Sequence, residues 1–343
     1  MSEQWDDLHL RSYFGDTGEY PTGGSLSKSP DIIPNGMEPI PDPEESFVNN
    51  NWDKDMGKDL VANAANYLYV RGNNLGTAAT DGIVNLYYAP ANLILYPVEW
   101  RNNQLQTSAG QKDVLIRDIP SGGKFVTPDA FQWVPEAISG THYCLIGVAG
   151  TERNPNVIPD IDAIEDFAKF ISENPNFGWR NVSVISADAP DFTLDVGYNQ
   201  GSKGDLMKFS IVCTNVPVGA EVSFSAGDSL DPPIYMPPVT VTNGASFSVG
   251  METQVPDNFS TTINYSYWSN GTTPPPGWDI RMEVTYLVSS SSYIYDKYAL
   301  PLEQMYSKEM AADIHARTKA LRRDDDIGPV RAVWMGGHST YGK

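Results

Sequence analysis

Two cysteines in 343 residues are too few for a disulfide framework, and they stand 69 positions apart, Cys144 in HYCLIGVAG and Cys213 in FSIVCTNV. Each lies inside an apolar strand-like run, where a thiol packs as a small hydrophobe, so both are expected to be reduced. Histidine is equally sparse. His9, His142, His315 and His338 are scattered, with no His-x-x-x-His or Cys-x-x-Cys spacing to hold zinc. Cys144 and His142, two apart on one strand, share a face without the hydrogen-bonded geometry that a nucleophile and its base require. A Gly-x-Ser-x-Gly elbow and a phosphate-cradling glycine loop are both missing. No catalytic, cofactor-binding or metal-ligating residue is therefore assigned, and the chain is read as a non-enzyme with no cofactor.

Basic residues are also scarce. With 23 Lys and Arg against 43 Asp and Glu, the net charge of −20 repels a phosphate backbone, which argues against nucleic acid as a partner. No apolar run approaches the 18 or so residues of a membrane-spanning helix, so membrane insertion is not expected. The opening MSEQWDDLHL has neither the basic region nor the apolar core of a signal peptide. Cytoplasmic synthesis is the expectation, with release by a leaderless route left open.

What the chain does have is aromatic and turn-forming residues: 18 Tyr, 12 Phe, 8 Trp, 29 Gly and 26 Pro. That much apolar ring surface offsets the ordering entropy that keeps polar chains disordered. The length suits two cores rather than one. Asn66–Trp100 is the clearest scaffold stretch. It reads as strands Tyr67–Val70 and Ile83–Tyr88 joined by a connection rich in Asn and Gly, followed by a Pro-capped edge.

Residues 1–59 carry 13 acids against 4 basic residues and six prolines from Pro21 to Pro43. Each proline fixes φ and pushes its predecessor to extended geometry, which predicts an extended arm. Trp5, Leu8, Leu10, Tyr13 and Phe14 give it apolar bulk, so it is expected to lie on a surface, its own or a neighbour's. Residues 60–190 read as an immunoglobulin-like sandwich whose strands include Val114–Ile116, Phe131–Val134 and His142–Ala149. One helix is predicted over 160–173, with Ile161, Ile164, Phe167 or Ala168, and Ile171 at helical spacing and Asp160 as N-cap. The acids of its first turns complement the helix dipole, and their spacing lacks the loop glycine and closing Glu of a calcium loop. Trp179–Ile185 is the returning strand.

The order SPDII (Ser29–Ile33), NYLYVRGNNLGTAATDGIVNLYYA (Asn66–Ala89), Pro97-x-x-Trp100, HYCLIGVAG (His142–Gly150) and WRNVSVI (Trp179–Ile185) resembles a bacterial module related to the adhesion-type immunoglobulin-like domains called CARDB. The resemblance covers roughly residues 10–190 and rests on packing and turn residues. It implies an immunoglobulin-like fold on secreted or surface proteins, and it carries no catalytic residue.

Residues 191–290 read as a second sandwich with strands Leu206–Cys213, Ala220–Phe224, Val239–Val241, Ser246–Val249, Thr261–Trp268 and Asp279–Val288. Asn243-Gly244, between VTVT and ASFSV, predicts a type I′ hairpin. Tyr265 and Tyr267 take the alternate spacing of core residues, while Trp268 and Trp278 are candidates for stacking on a sugar. Residues 291–343 predict a helix from Pro301 to Leu321, with Leu302, Met305, Met310, Ile314 and Leu321 on one side, and then a tail containing Trp334. The fold class is thus all-β: two immunoglobulin-like antiparallel sandwiches flanked by an extended arm and a C-terminal helix.

The expected role is that of a non-enzymatic structural protein, a self-assembling subunit of a larger bacterial or phage-like particle. Its partner would be itself or another subunit, docked through Trp5, Leu8, Leu10, Tyr13 and Phe14 of the arm and through Met305, Met310, Ile314 and Trp334. Two alternatives stay open: a carbohydrate- or surface-binding adhesion module using Trp268 and Trp278, and a leaderless effector or toxin component.

Overall fold

The computed structural model describes residues 3–22, 26–58, 60–61, 63–90, 92–136, 143–182, 191–322, 326 and 328–341, so His142 and the Gly23-Gly24 pair lie outside the described residues. The chain divides into two units, 1–90 with 96–161 and 170–184, and 91–95 with 162–169 and 185–343. Each is an antiparallel β-sandwich. Among the described residues no helix is long and apolar enough to cross a membrane.

The first unit holds β1 (Glu3–Gln4), β2 (Leu8–His9), β3 (Glu19–Tyr20), β4 (Ile32–Pro34), β5 (Asn66–Asn74), β6 (Thr80–Pro90), β7 (Gln106–Thr107), β8 (Val114–Ile119), β9 (Lys124–Val126), β10 (Phe131–Trp133), β11 (Tyr143–Gly150) and β12 (Phe177–Val182). β5 is its spine, pairing with β2, β4, β9 and β10 along its length, and β12-β11-β6-β8 form the facing sheet. Between them Leu10, Ile32, Leu68, Val70 and Phe131 meet Val84, Leu86, Ile116 and Leu145 in one core. β5 and β6, which the sequence places together, do not pair: the connection after Asn74 arches from one sheet to the other. Pro97–Trp100 closes a single helical turn, α1.

The arm is part of this unit and not an appendage. Leu8 and His9 pair with Asn74 and Asn73, and Ile32 to Pro34 pair with Val70 to Leu68. Residues 35–58 cover the outer face of the same sheet, where Phe47, from a π-helical turn over Glu45–Asn49, packs on Tyr69 at 5.2 Å. A buried clasp holds the arm down. Asp31, fully buried, accepts from the Arg11 backbone N–H at 2.7 Å, from Arg11 Nη2 at 2.5 Å and from Arg71 Nε at 3.2 Å. The remaining Arg71 nitrogens donate to the carbonyls of Phe47, Asn51 and Lys54, so every nitrogen of a cation with no exposure has an acceptor. Trp52 roofs the clasp, with Arg11 and Lys124 at 3.7 and 4.7 Å from its ring centroid.

The predicted helix appears as α2 (Ile164–Glu173). It starts later than expected because Asp160 faces Arg101 Nη1 at 2.8 Å instead of capping, and the first helical bond runs from Phe167 N–H to Ala163 O.

The second unit holds β13 (Asp191–Asn199), β14 (Asp205–Thr214), β15 (Glu221–Ala226), β16 (Tyr235–Thr240), β17 (Ser246–Val255), β18 (Ser260–Trp268), β19 (Asp279–Val288), β20 (Leu300–Pro301) and β21 (Arg331–Tyr341). Its sheets run β13-β18-β15-β16 and β17-β14-β19-β21-β20. Asn243-Gly244 makes no hairpin, because β16 pairs with β15 and β17 with β14. Asn243 Oδ1 accepts from Ala245 N–H, closing a local Asx turn while the chain changes sheets. The segment read as a tail is also different: Arg331–Tyr341 is an interior strand along β19, bulged opposite Val284–Thr285. Gly336 lies at that bulge, where a Cβ would collide with the Leu93 carbonyl.

The predicted C-terminal helix is two pieces, α3 (Leu302–Met305) and α4 (Lys308–Thr318), broken at extended Tyr306 and restarted by Ser307, whose Oγ accepts from Met310 N–H. Both pack on the outer face of the five-stranded sheet, burying Leu302, Ala311 and Ile314 against Leu206, Leu287 and Ala332. Under them lies a charged layer. Arg317 forks onto Glu252 at 2.7 and 3.0 Å, Arg281 Nε meets Glu283 at 2.7 Å, and Lys208, 1% exposed, sits over the Tyr306 ring at 5.1 Å. Burial pushes the Lys208 amine down to about 8, and the nearby Glu252 and Glu283 only partly oppose it.

Two outcomes follow. Arg71→Ala strips Asp31 of one guanidinium and three carbonyls of their donor, and denaturant unfolding is expected to show a loss of about 3–5 kcal/mol. Between about pH 8 and the ordinary lysine value of 10.5, the folded chain sheds the Lys208 proton while the unfolded chain keeps it, so stability contributed by this group rises with pH. Urea midpoints across that range are expected to rise less for Lys208→Met than for the unchanged protein; identical slopes contradict the assignment.

Candidate trough on the first sandwich

The outer face of the β12-β11-β6-β8 sheet carries a trough of about 1230 Å³. Alternation along β6 aims Asp81, Ile83, Asn85 and Tyr87 at its floor. Asp113, Leu115 and Arg117 form one wall, beside or on β8, and the loop from Gly150 to Asn156 forms the other.

The floor is polar and yet buried. Asn85 is 2% exposed and Tyr87 4%. Asn85 Nδ2 donates to Asp113 Oδ1 at 2.6 Å and to the Lys112 carbonyl at 3.1 Å. Asn156 Nδ2 donates to Asn85 Oδ1 at 2.5 Å and to the Tyr87 hydroxyl at 3.1 Å, which leaves Asn156 Oδ1 buried with no partner among the described residues. Tyr87 is held from below by Trp100, edge-on at 5.2 Å. Burial pushes its hydroxyl above the usual tyrosine range, so it remains a donor at neutral pH.

The arm fixes the loop wall. Asp7 Oδ2 accepts from Thr151 Oγ1 at 2.6 Å and from Asn154 Nδ2 at 2.5 Å, and Arg153 Nη1 reaches the Asp6 carboxylate at 2.9 Å. Opposite, Arg117 stands 3.8 Å from Asp81, both side chains mostly exposed.

The residues singled out from sequence lie elsewhere. Trp5, Leu8 and Leu10 are buried in the first unit, Tyr13 is half-buried and Phe14 is exposed. Ile314 is buried, and Met305 and Met310 pack against its cluster, so the C-terminal apolar stripe is covered by its own sheet. Trp334 is half-buried, edge-on to Tyr306 at 6.5 Å. Trp278, 5% exposed, stacks on Phe192 and Tyr267, each at 6.1 Å, and so offers no face to a ligand; Trp268 is half-buried at a strand end. Tyr265 and Tyr267 are core residues, as their spacing suggested. Both cysteines are buried and neither is in a disulfide. Among the described residues no group of three His, Cys, Asp or Glu side chains is arranged to hold a metal ion.

A second polar cluster, in the second unit, lines a cavity of about 290 Å³. There Tyr286 donates to Asp205 at 2.7 Å, while Ser292 and Lys203 bind Glu165, so these carboxylates are occupied by the chain's own donors. Burial raises the Asp205 carboxyl above its usual range.

Removing the floor amide gives a direct check on the network. Asn85→Ala takes from Asn156 Nδ2 one of its two acceptors, leaving only the Tyr87 hydroxyl, and is expected to cost about 1–3 kcal/mol in chemical unfolding, against less than about 0.5 kcal/mol for an exposed substitution such as Val157→Ala.

No protein-family model matches the chain, and no curated protein matches it in sequence. Among solved structures it is similar to the secreted serine protease VesC from Vibrio cholerae, at 10% identity over 64% of this chain with a TM-score of 0.20; the match spans about half (47%) of that protein. It is also similar to the CupB6 tip adhesin from Pseudomonas aeruginosa, at 9% identity over 67% of this chain and 86% of that one, with a TM-score of 0.17. Scores this low leave the reading of the site to its own geometry.

Proposed function

We propose that the chain is a non-enzymatic binding protein whose first sandwich takes an extended carbohydrate in the trough over β6. One observation carries this reading: Asn85 and Tyr87 are buried, polar and cross-linked by hydrogen bonds directly beneath an open cavity of about 1230 Å³. A sheet face that only meets water has no need of such a floor. One that only packs would be apolar. Amide, carboxylate and hydroxyl groups held in fixed orientation beside exposed Ile83 and Leu115 suit a ligand with hydroxyl edges and C–H faces.

The self-assembling reading rested on an arm and a helix free to dock on neighbours. Both are packed against their own units, which supports the trough over them as the interaction surface. The edges of the four-stranded sheet of the second unit are also poor templates for strand addition, since β13 carries Asp191 and Asp195 and β16 carries Pro237 and Pro238.

A glycan array probed with the full-length protein is expected to return linear oligosaccharides, with the signal lost in Tyr87→Phe combined with Asp113→Asn. Binding that survives this double change would sink the trough as the site. Light scattering is expected to give a monomer; a large assembly would return the subunit reading to first place.

A further inference from the structure

We infer that the second unit takes a β-strand from a partner protein on the outer edge of β17: an extended peptide antiparallel to β17, apolar at alternate positions and basic at its N-terminal end. The inference is independent of the trough. β17 ends the five-stranded sheet and pairs with β14 in unbroken register, from Ser246 opposite Thr214 to Val255 opposite Asp205. In an antiparallel pair every second residue turns its N–H and C=O away from the neighbour. Among the described residues, no backbone group of Ser246–Val255 has a backbone partner outside β14.

Long edges are normally blunted by lysine, proline or a bulge, because an unpaired row of this kind pairs with whatever strand meets it. The edges of the four-stranded sheet carry such guards. β17 does not: Ser246–Met251 holds no charge and no proline, and the charged residue that follows, Glu252, is buried and turned under α4 to Arg317.

The side chains define what the incoming strand must carry. Register places Phe247, Val249 and Met251 on the face of Cys213, Ile211 and Phe209, which have no exposure. That face is the inside of the sandwich, since Phe209 meets Tyr198 of the other sheet at 5.0 Å. Phe247, Val249 and Met251 are only half-buried, so the core is open along this side. Across the opening lies β16, where Val239 and Met236, opposite the core residues Val222 and Phe224, are half-buried too. A polypeptide main chain matches the row of donors and acceptors, and apolar side chains at every second position complete the core.

Charge gives the direction. Thr253 Oγ1 donates to the Pro232 carbonyl at 2.6 Å, which brings exposed Asp231 to the Val255 end of β17, and exposed Asp257 follows two residues after it. Neither carboxylate has a basic partner at ion-pair distance among the described residues. In antiparallel addition the partner's N-terminal end lies there, so a lysine or arginine at that end meets two acids.

Fluorescence anisotropy of the full-length protein tests this with labelled octapeptides of the form Lys-Lys-X-Thr-X-Thr-X-Thr, where X is Val, Ile or Phe. At least one is expected to bind about tenfold or more tightly than the same peptide N-methylated along its main chain, and to protect the amides of Ser246–Met251 from hydrogen exchange. Glutamates in place of its lysines are expected to weaken it by about fivefold to tenfold at low salt. Val249→Lys, which sets a charge at the mouth of the opening, is expected to abolish binding with an unchanged circular dichroism spectrum. Asp231→Asn with Asp257→Asn is expected to weaken it by about threefold, while Asp296→Asn, at a side chain 93% exposed, changes nothing. Equal binding of the N-methylated peptide overturns the inference, as do protection that falls outside β17 and failure of every peptide to bind. A dimer in light scattering that Val249→Lys abolishes overturns it in favour of a second copy on the same edge.

Discussion

A carboxylate with no exposure to water decides how the first unit is built. Asp31 sits between Arg11 and Arg71, and a lone charge so placed would cost far more than any single contact returns. Two guanidiniums and a backbone N–H offset that cost only if the arm lies along β5. The excess positive charge is in turn met by three carbonyls from residues 47–54 and by the face of Trp52. Every partner in this set depends on the others. The acidic, proline-rich segment is consequently a structural layer of the sandwich, with apolar side chains that fill its core.

The trough follows from that arrangement. Once β2 is paired with the end of β5, Asp6 and Asp7 come to the loop after β11 and hold Thr151, Arg153 and Asn154. That loop carries Asn156 to the floor, where it joins Asn85 and Tyr87. A hydrogen-bonded path therefore runs from the start of the chain to the candidate site.

Much of this was legible in the sequence, and the failures have physical causes. Runs with clean alternation, such as those at β6, β14 and β19, were placed within a few residues, because one apolar face set against one polar face imposes period two, even where, as in β14 and β19, both faces are buried. The prolines of the arm implied extended geometry, which Ile32–Pro34 has, whereas a helical turn begins at Pro43 and runs to Asn49; no local pattern announces that Ile32 and Ile33 will pair with Val70 and Tyr69 rather than meet another molecule. Asn243-Gly244 has the residues of a tight hairpin, yet the flanking strands belong to different sheets, so tertiary pairing overrode turn preference. RAVWMGGHSTY was read as a tail because two glycines interrupt it; the bulge they permit is what lets β21 continue beside β19. Asn85 and Tyr87 gave no signal, since a polar residue on a strand normally faces water and only the loop above reveals these two as buried.

The central claim is that residues 1–45 are part of the first sandwich and not a free docking arm. Amide hydrogen exchange in the full chain and in a chain lacking those residues tests it most directly. The claim requires that β5 and β11 lose protection together in the shortened chain while β14 and β19 of the second unit keep theirs. Unchanged protection of β5 and β11 would show that the sandwich stands without the arm.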